Sequence, residues 1–164
     1  MSVNKKALAG AGTALVTGAA ARIGAAIAET LHQRGCDVIL HYNSNIEAAQ
    51  RLADRLNAAR ENSASLVSAE LSSPAGIELL ARKTKSQFER LDILVNAAGV
   101  APAYALVDLP VDKLRFALEV NLTGYFLMAQ QAARIMIGIP GMCSTLRPPR
   151  RGYGVSLSRL SCRR

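Results

Sequence analysis

Thr13-Ala14-Leu15-Val16-Thr17-Gly18-Ala19-Ala20-Ala21-Arg22-Ile23-Gly24 is the stretch that decides the fold. Residues 13–16 are a short apolar run with strand character. Ala25-Ala26-Ile27-Ala28-Glu29-Thr30-Leu31 follows as a helix that Gly35 stops. A strand, a glycine-bearing turn and a helix in that order build a phosphate-binding turn. Gly18 lets the chain turn sharply, and Gly24 lets helix and strand pack closely. Free N–H groups at the helix start can then face a pyrophosphate. Paired glycines recur in many turns; the strand before them and the helix after them carry the assignment.

The chain has 164 residues, half of them hydrophobic, which is one domain's worth and enough to bury a core. No run is long and apolar enough to span a membrane. Met1-Ser2-Val3-Asn4-Lys5-Lys6-Ala7-Leu8 carries positive charge, but no apolar signal core follows, so secretion is not expected. Cys36, Cys143 and Cys162 are scattered and lack metal-ligand spacing, which fits a reducing, cytoplasmic setting. The formal net charge of +8 is unevenly placed. Residues 138–164 hold six arginines and neither lysine nor acid. That leaves 14 basic and 12 acidic residues in 1–137, a net of +2. The body is nearly neutral, so the whole-chain charge is no nucleic-acid signature.

Strand and helix alternate along the body. Asp37-Val38-Ile39-Leu40-His41 reads as a second strand, Ala64-Ser65-Leu66-Val67-Ser68-Ala69 as a third and Leu91-Asp92-Ile93-Leu94-Val95-Asn96 as a fourth. Ser44 or Asn45 can cap a helix through Glu47 to Arg60, with Ala48, Leu52, Leu56 and Ala59 on one face. Ser73 caps the next, with Pro74 at its first position and its end near Phe88. Pro110 opens a long helical stretch in which Leu114, Leu118, Leu122, Tyr125 and Met128 recur near helical spacing. The order predicts an α/β fold over residues 10–137: a doubly wound parallel sheet of Rossmann type with helices on both faces. It is cut off after the fourth strand and its following helix, and residues 138–164 form a basic, irregular tail. Ligands of such sheets sit at the carboxyl ends of the strands.

The turn resembles the TGxxxGxG signature of the short-chain dehydrogenase/reductase family, with Arg22 where the middle glycine usually stands. That variant is similar to the turn of the pteridine reductase branch. The resemblance places Gly18, Arg22, Ile23 and Gly24 around the cofactor phosphates. A guanidinium there adds charge-assisted bonds to phosphate. An ordinary solvated arginine is the plainer reading. The second strand ends His41-Tyr42-Asn43-Ser44 with no acid, while Asp37 lies at its start, the wrong end to reach a ribose. An acid at the end would bind the ribose 2′-OH and repel a 2′-phosphate; its absence, with Arg22, favours NADP(H) over NAD(H). In the pteridine reductases an HY pair begins the 2′-phosphate loop, which implies that role for His41 and Tyr42. Packing at the strand end is their other reading. Asn43 stands where a basic residue is usual, which leaves Arg22 as the main cationic contact.

Glu70-Leu71 stands where the family has Asp-Leu or Asp-Val, implying a grip on adenine. Asn96-Ala97-Ala98-Gly99 is similar to the family's NNAG, whose small residues imply close backbone approach to the nicotinamide ribose. Its first Asn would stabilise the central sheet. Glu119-Val120-Asn121-Leu122-Thr123-Gly124 resembles VNxxG, whose Asn helps hold a proton-relay water at a helix distortion. Asn121 is the one member of the family's Asn-Ser-Tyr-Lys set that can be placed.

After Ile137 the resemblance ends. The family continues into a fifth strand with a catalytic Ser, then Tyr-x-x-x-Lys, whose Tyr gives the proton and whose Lys lowers its pKa. Here Tyr153 is followed four residues on by Leu157, and no Lys occurs after Lys113. The switch to Arg, Pro, Ser, Gly and Cys inside a domain favours a break in reading frame over a natural basic appendage. The resemblance implies reduction of a carbonyl or imine, a pterin included, by hydride from NADPH, or the reverse, on a small-molecule substrate. Two other outcomes stand beside it: a cofactor-binding fragment without catalysis, and a basic module for anions or nucleic acid. The resemblance implies homo-oligomers paired through the long helix that carries Asn121 and the helix after it, of which the sequence shows only the first. Its outer apolar positions are expected to be exposed and to invite weak self-association.

Overall fold

The computed structural model describes residues 12–20, 22–88 and 90–137; the basic segment 138–164 and the readings made for it lie outside them. Four parallel strands lie in the order β3-β2-β1-β4, with β1 at Thr13–Thr17, β2 at Asp37–Tyr42, β3 at Ala64–Ser68 and β4 at Ile93–Asn96. They alternate with α1 (Arg22–Gln33), α2 (Ile46–Ala59) and α3 (Pro74–Gln87). After β4 come α4 (Val111–Leu118), a π-helical turn (Glu119–Gly124) and α5 (Tyr125–Ile137). The chain thus forms the parallel, doubly wound sheet that the alternation predicts. It winds outward through β2 and β3, then crosses back to place β4 on the far side of β1. The crevice above β1 and β4 is the switch point where such sheets bind ligands.

Alternation along the strands divides the core in two. Ala14, Val16, Val38 and Leu40 face a cluster with Ala28, Leu52, Ala53 and Leu56 of α1 and α2. Leu15, Ile39 and Val67 face Ile77 and Leu80 of α3 and Met128, Ala132 and Met136 of α5. β1 is buried at every position. All four residues of β4 are half-buried, because among the described residues only β1 pairs with it.

Local chemistry sets the helix limits. Asn45, not Ser44, caps α2: its side chain accepts from the Ala48 N–H. Ser73 accepts from the Gly76 N–H, and Pro74 fills the first position of α3. Two apolar faces differ from the sequence reading. α2 buries Ala49, Leu52, Ala53 and Leu56, which leaves Ala48 half-buried and Ala59 exposed. The stretch after Pro110 is not one regular helix. Val120, Gly124, Met128, Ala132 and Met136 point inward, whereas Leu114, Leu118 and Leu122 are exposed by 45, 48 and 64%. A π turn adds a residue to one helical turn and rotates the helix beyond it, so a single periodicity cannot span it.

At the amino ends of the strands, His32 is buried with its Nε2 2.6 Å from the Ser63 hydroxyl, which donates to the Arg60 carbonyl. The Arg60 guanidinium bonds the carbonyls of Gly35 and Cys36 and pairs with Asp37 at 3.2 Å. Burial, helped by the Arg60 charge and opposed by Asp37, holds the His32 pKa below its ordinary value. A histidine favoured neutral in the fold contributes stability that is present above its unfolded pKa of about 6.5 and is lost as pH falls. The urea midpoint is therefore expected to be lower at pH 5.5 than at pH 7.5, and His32→Gln to lessen the difference.

Candidate functional site

The segments after β3 and β4 meet the π turn, the loop after β1 packs against the loop after β4, and the packing there is close. Gly18 has φ +66°, a conformation that favours glycine, and a Cβ on it would lie 2.6 Å from the Ala98 Cα. A Cβ on Gly24 would collide with the Gly18 carbonyl, so the missing side chain is what seats the first turn of α1 on the loop after β1. Arg22, at the start of α1, is exposed and held at φ +50°. Ile23 beside it is 73% exposed. Together these make a glycine-lined turn under a helix N-terminus with a cation at its rim, which fits a pyrophosphate.

Thr17 organises the facing loop, and the sequence reading assigned it no role. It is fully buried. Its Oγ1 accepts from the N–H groups of Ala97 at 3.0 Å and Ala98 at 3.2 Å and donates to the Val95 carbonyl at 3.3 Å. The signal was there: a hydroxyl at the end of a buried strand has to find partners. Ala97 and Ala98 therefore bring close-fitting backbone to the site, with their N–H groups already spent. Asn96 donates to the Tyr125 carbonyl at 3.3 Å, tying β4 to α5, and its buried Oδ1 has no partner among the described residues.

His41 sits otherwise than in a loop that meets phosphate. It is 2% exposed, and both ring nitrogens bond backbone: Nδ1 to the Gly18 N–H and Nε2 to the Ala69 carbonyl, each at 3.1 Å. Packing at the strand end is its role, because a buried ring with both nitrogens bonded has nothing to offer a solvent-side phosphate. Tyr42 is half-buried, while Asn43 and Ser44 are exposed. Asn43 donates to Glu70 at 2.8 Å, and Glu70 also accepts from the Ser72 N–H at 3.0 Å. Partial burial would raise the Glu70 pKa, but these hydrogen bonds outweigh it and hold the carboxyl below its ordinary value. The Leu71 side chain lies in the core rather than at the site; its carbonyl comes within 2.7 Å of where a Gly124 Cβ would be.

Asn121 lies in the π turn, the distortion expected of it. Its amide is fully engaged with one residue's backbone: Oδ1 accepts from the Val100 N–H at 2.9 Å and Nδ2 donates to the Val100 carbonyl at 2.8 Å. It also lies against Gly99.

The family model for short chain dehydrogenase matches residues 12–142. The chain belongs to the short-chain dehydrogenase family. The match runs five residues past Ile137, into the segment outside the described residues. An L-rhamnose 1-dehydrogenase (NAD(P)(+)) of Sphingomonas is 34% identical over 125 residues, 76% of this chain and 49% of that protein. The 3-oxoacyl-(acyl-carrier-protein) reductase FabG of Escherichia coli is 37% identical over 124 residues, with the same coverage. Among solved structures, a short-chain dehydrogenase of Burkholderia cenocepacia in complex with NADP superposes with a TM-score of 0.74 at 36% identity, covering 79% of this chain and 52% of that one. The chain spans about half the length of the curated relatives it matches. Short-chain dehydrogenases are NAD(P)-dependent oxidoreductases.

Thr17→Val keeps shape but removes the acceptor for two N–H groups. Each unsatisfied buried donor costs about 1–3 kcal/mol. A loss of roughly 2 kcal/mol or more in urea unfolding is expected, with dinucleotide affinity falling as the β4 loop loosens.

Proposed function

We propose that this chain binds NADP(H) in preference to NAD(H), at the crevice between β1 and β4. The observation that carries the reading is Arg22, exposed at the rim of the phosphate turn, together with a loop after β2 that has no acid in His41-Tyr42-Asn43-Ser44. Glu70 works against it, since it takes the Asn43 amide as a partner and adds negative charge on the adenosine side. The preference is therefore modest. Gly18, Arg22, Ile23 and Gly24 hold the pyrophosphate, Asn43, Ser44 and Tyr42 border the ribose, Glu70 meets adenine, and the backbone of 96–99 lies under the nicotinamide ribose. The bound nicotinamide supplies hydride transfer. The substrate class is a carbonyl or its alcohol, which the dehydrogenase and reductase relatives support; the Arg22 turn, similar to that of pteridine reductases, adds pterins to the panel.

Fluorescence titration is expected to give tighter binding of NADPH than NADH, and equal affinities would overturn the reading. Arg22→Gly is expected to narrow the difference. The same change stabilises the fold by about 1 kcal/mol, because a left-handed conformation costs a side-chain-bearing residue about that much.

The 164-residue chain by itself is proposed to be catalytically silent. The sequence places no Tyr-x-x-x-Lys after Asn121, and loss of general acid catalysis alone removes about 10²–10⁴-fold in rate. NADPH consumption with ketones, quinones and pterins is expected to stay at background. Turnover that disappears on Tyr153→Phe would overturn this.

A further inference from the structure

His41 is spent entirely on the backbone around the phosphate turn. Its carbonyl accepts from the Ala19 N–H at 2.9 Å, and its Nδ1 accepts from the Gly18 N–H at 3.1 Å. On the other side its Nε2 lies 3.1 Å from the Ala69 carbonyl, an atom that can only accept. The geometry therefore fixes the tautomer: Nε2 carries the proton and Nδ1 is the bare acceptor. Protonation of Nδ1 would set a donor against the Gly18 donor. The ring is 2% exposed, so it has no solvent-filled space in which to turn and relieve the clash.

We propose that His41 is the positioning residue of the phosphate-binding turn: neutral, it seats Gly18 and the start of α1 toward the dinucleotide, and protonated, it releases them. The proposal rests on the dinucleotide reading above. From the turn side the ring bonds the Gly18 N–H, while the Ala19 N–H is held by the His41 backbone carbonyl. From the β3 side it meets Ala69 and the charge of Glu70. Burial favours the neutral ring, the bond to Ala69 and the Glu70 charge favour the protonated one, and burial prevails. The release accordingly falls below the ordinary histidine value of about 6.5.

The test is NADP⁺ affinity between pH 8 and pH 5 for the wild-type chain and for His41→Asn. Asparagine keeps an acceptor close to the Nδ1 position but does not titrate. It shares with wild type the titration of the cofactor's own phosphate, near pH 6. The expected result is a wild-type affinity loss at least tenfold larger than that of the variant; parallel curves overturn the proposal. If His41→Asn does not fold, nuclear magnetic resonance of the wild type without cofactor decides. The ring is expected to be the Nε2–H tautomer, with the Gly18 amide shifting as it titrates. An Nδ1–H tautomer, or an unmoved Gly18 amide, overturns the proposal. A chain that binds no dinucleotide at pH 8 overturns the proposed function instead, and the Gly18 amide then judges the positioning role alone.

Discussion

The contact between Gly18 and Ala98 sets the geometry of the crevice. Two strand-end loops come together there with no side chain between them. A gap that narrow leaves little room for water, so the loop N–H groups need partners from the protein itself. Thr17 supplies them for Ala97 and Ala98, and His41 does so for Gly18 and Ala19. One buried hydroxyl and one buried imidazole thus hold the two walls of the site from beneath. Neither has to touch a ligand to decide whether one fits. The N–H groups of Gly18 and Ala19 are thus already spent within the protein.

The alternation of strand and helix, the Ser73 cap and the three family motifs were legible because each is a local property. The apolar run of β1 is short and continuous, as a strand buried on both faces should be, and Ser73-Pro74 announces a helix start without reference to anything distant. The role of Thr17 was not legible, and that of His41 only in outline, as packing at the strand end. They depend on partners 80 and 28 residues away, and a partner that is backbone leaves no trace in side-chain identity. Asn121 is intermediate. Its motif placed it at a helix distortion, but the motif could not say that both ends of its amide would be taken by Val100.

The misread face after Pro110 has the same origin. Helical spacing over Leu114, Leu118 and Leu122 was genuine, yet it described the exposed side. The inward stripe of Val120, Gly124, Met128, Ala132 and Met136 is built partly of small residues and methionine, which score weakly as a hydrophobic pattern. Small size is nevertheless what the position demands at Gly124, where the Leu71 carbonyl approaches too closely for a side chain. Packing at van der Waals distance selected for volume there, and a reading based on hydrophobicity alone tracks the larger residues outward.

Arg22 and Gly24 show two different constraints inside one turn. At Gly24 the obstacle is space, since the Gly18 carbonyl occupies the place a Cβ would take, and no change of conformation relieves that. At Arg22 the obstacle is conformation. The side chain is exposed, so nothing excludes it, and the cost is that of a left-handed φ, about 1–2 kcal/mol. The two glycine positions of the signature are therefore unequal in what they tolerate. The first kind of constraint is absolute, while the second can be offset by whatever the new side chain contributes. A guanidinium at a phosphate site contributes charge-assisted hydrogen bonds of comparable size. The turn can therefore accept a side chain at position 22 and cannot accept one at position 24.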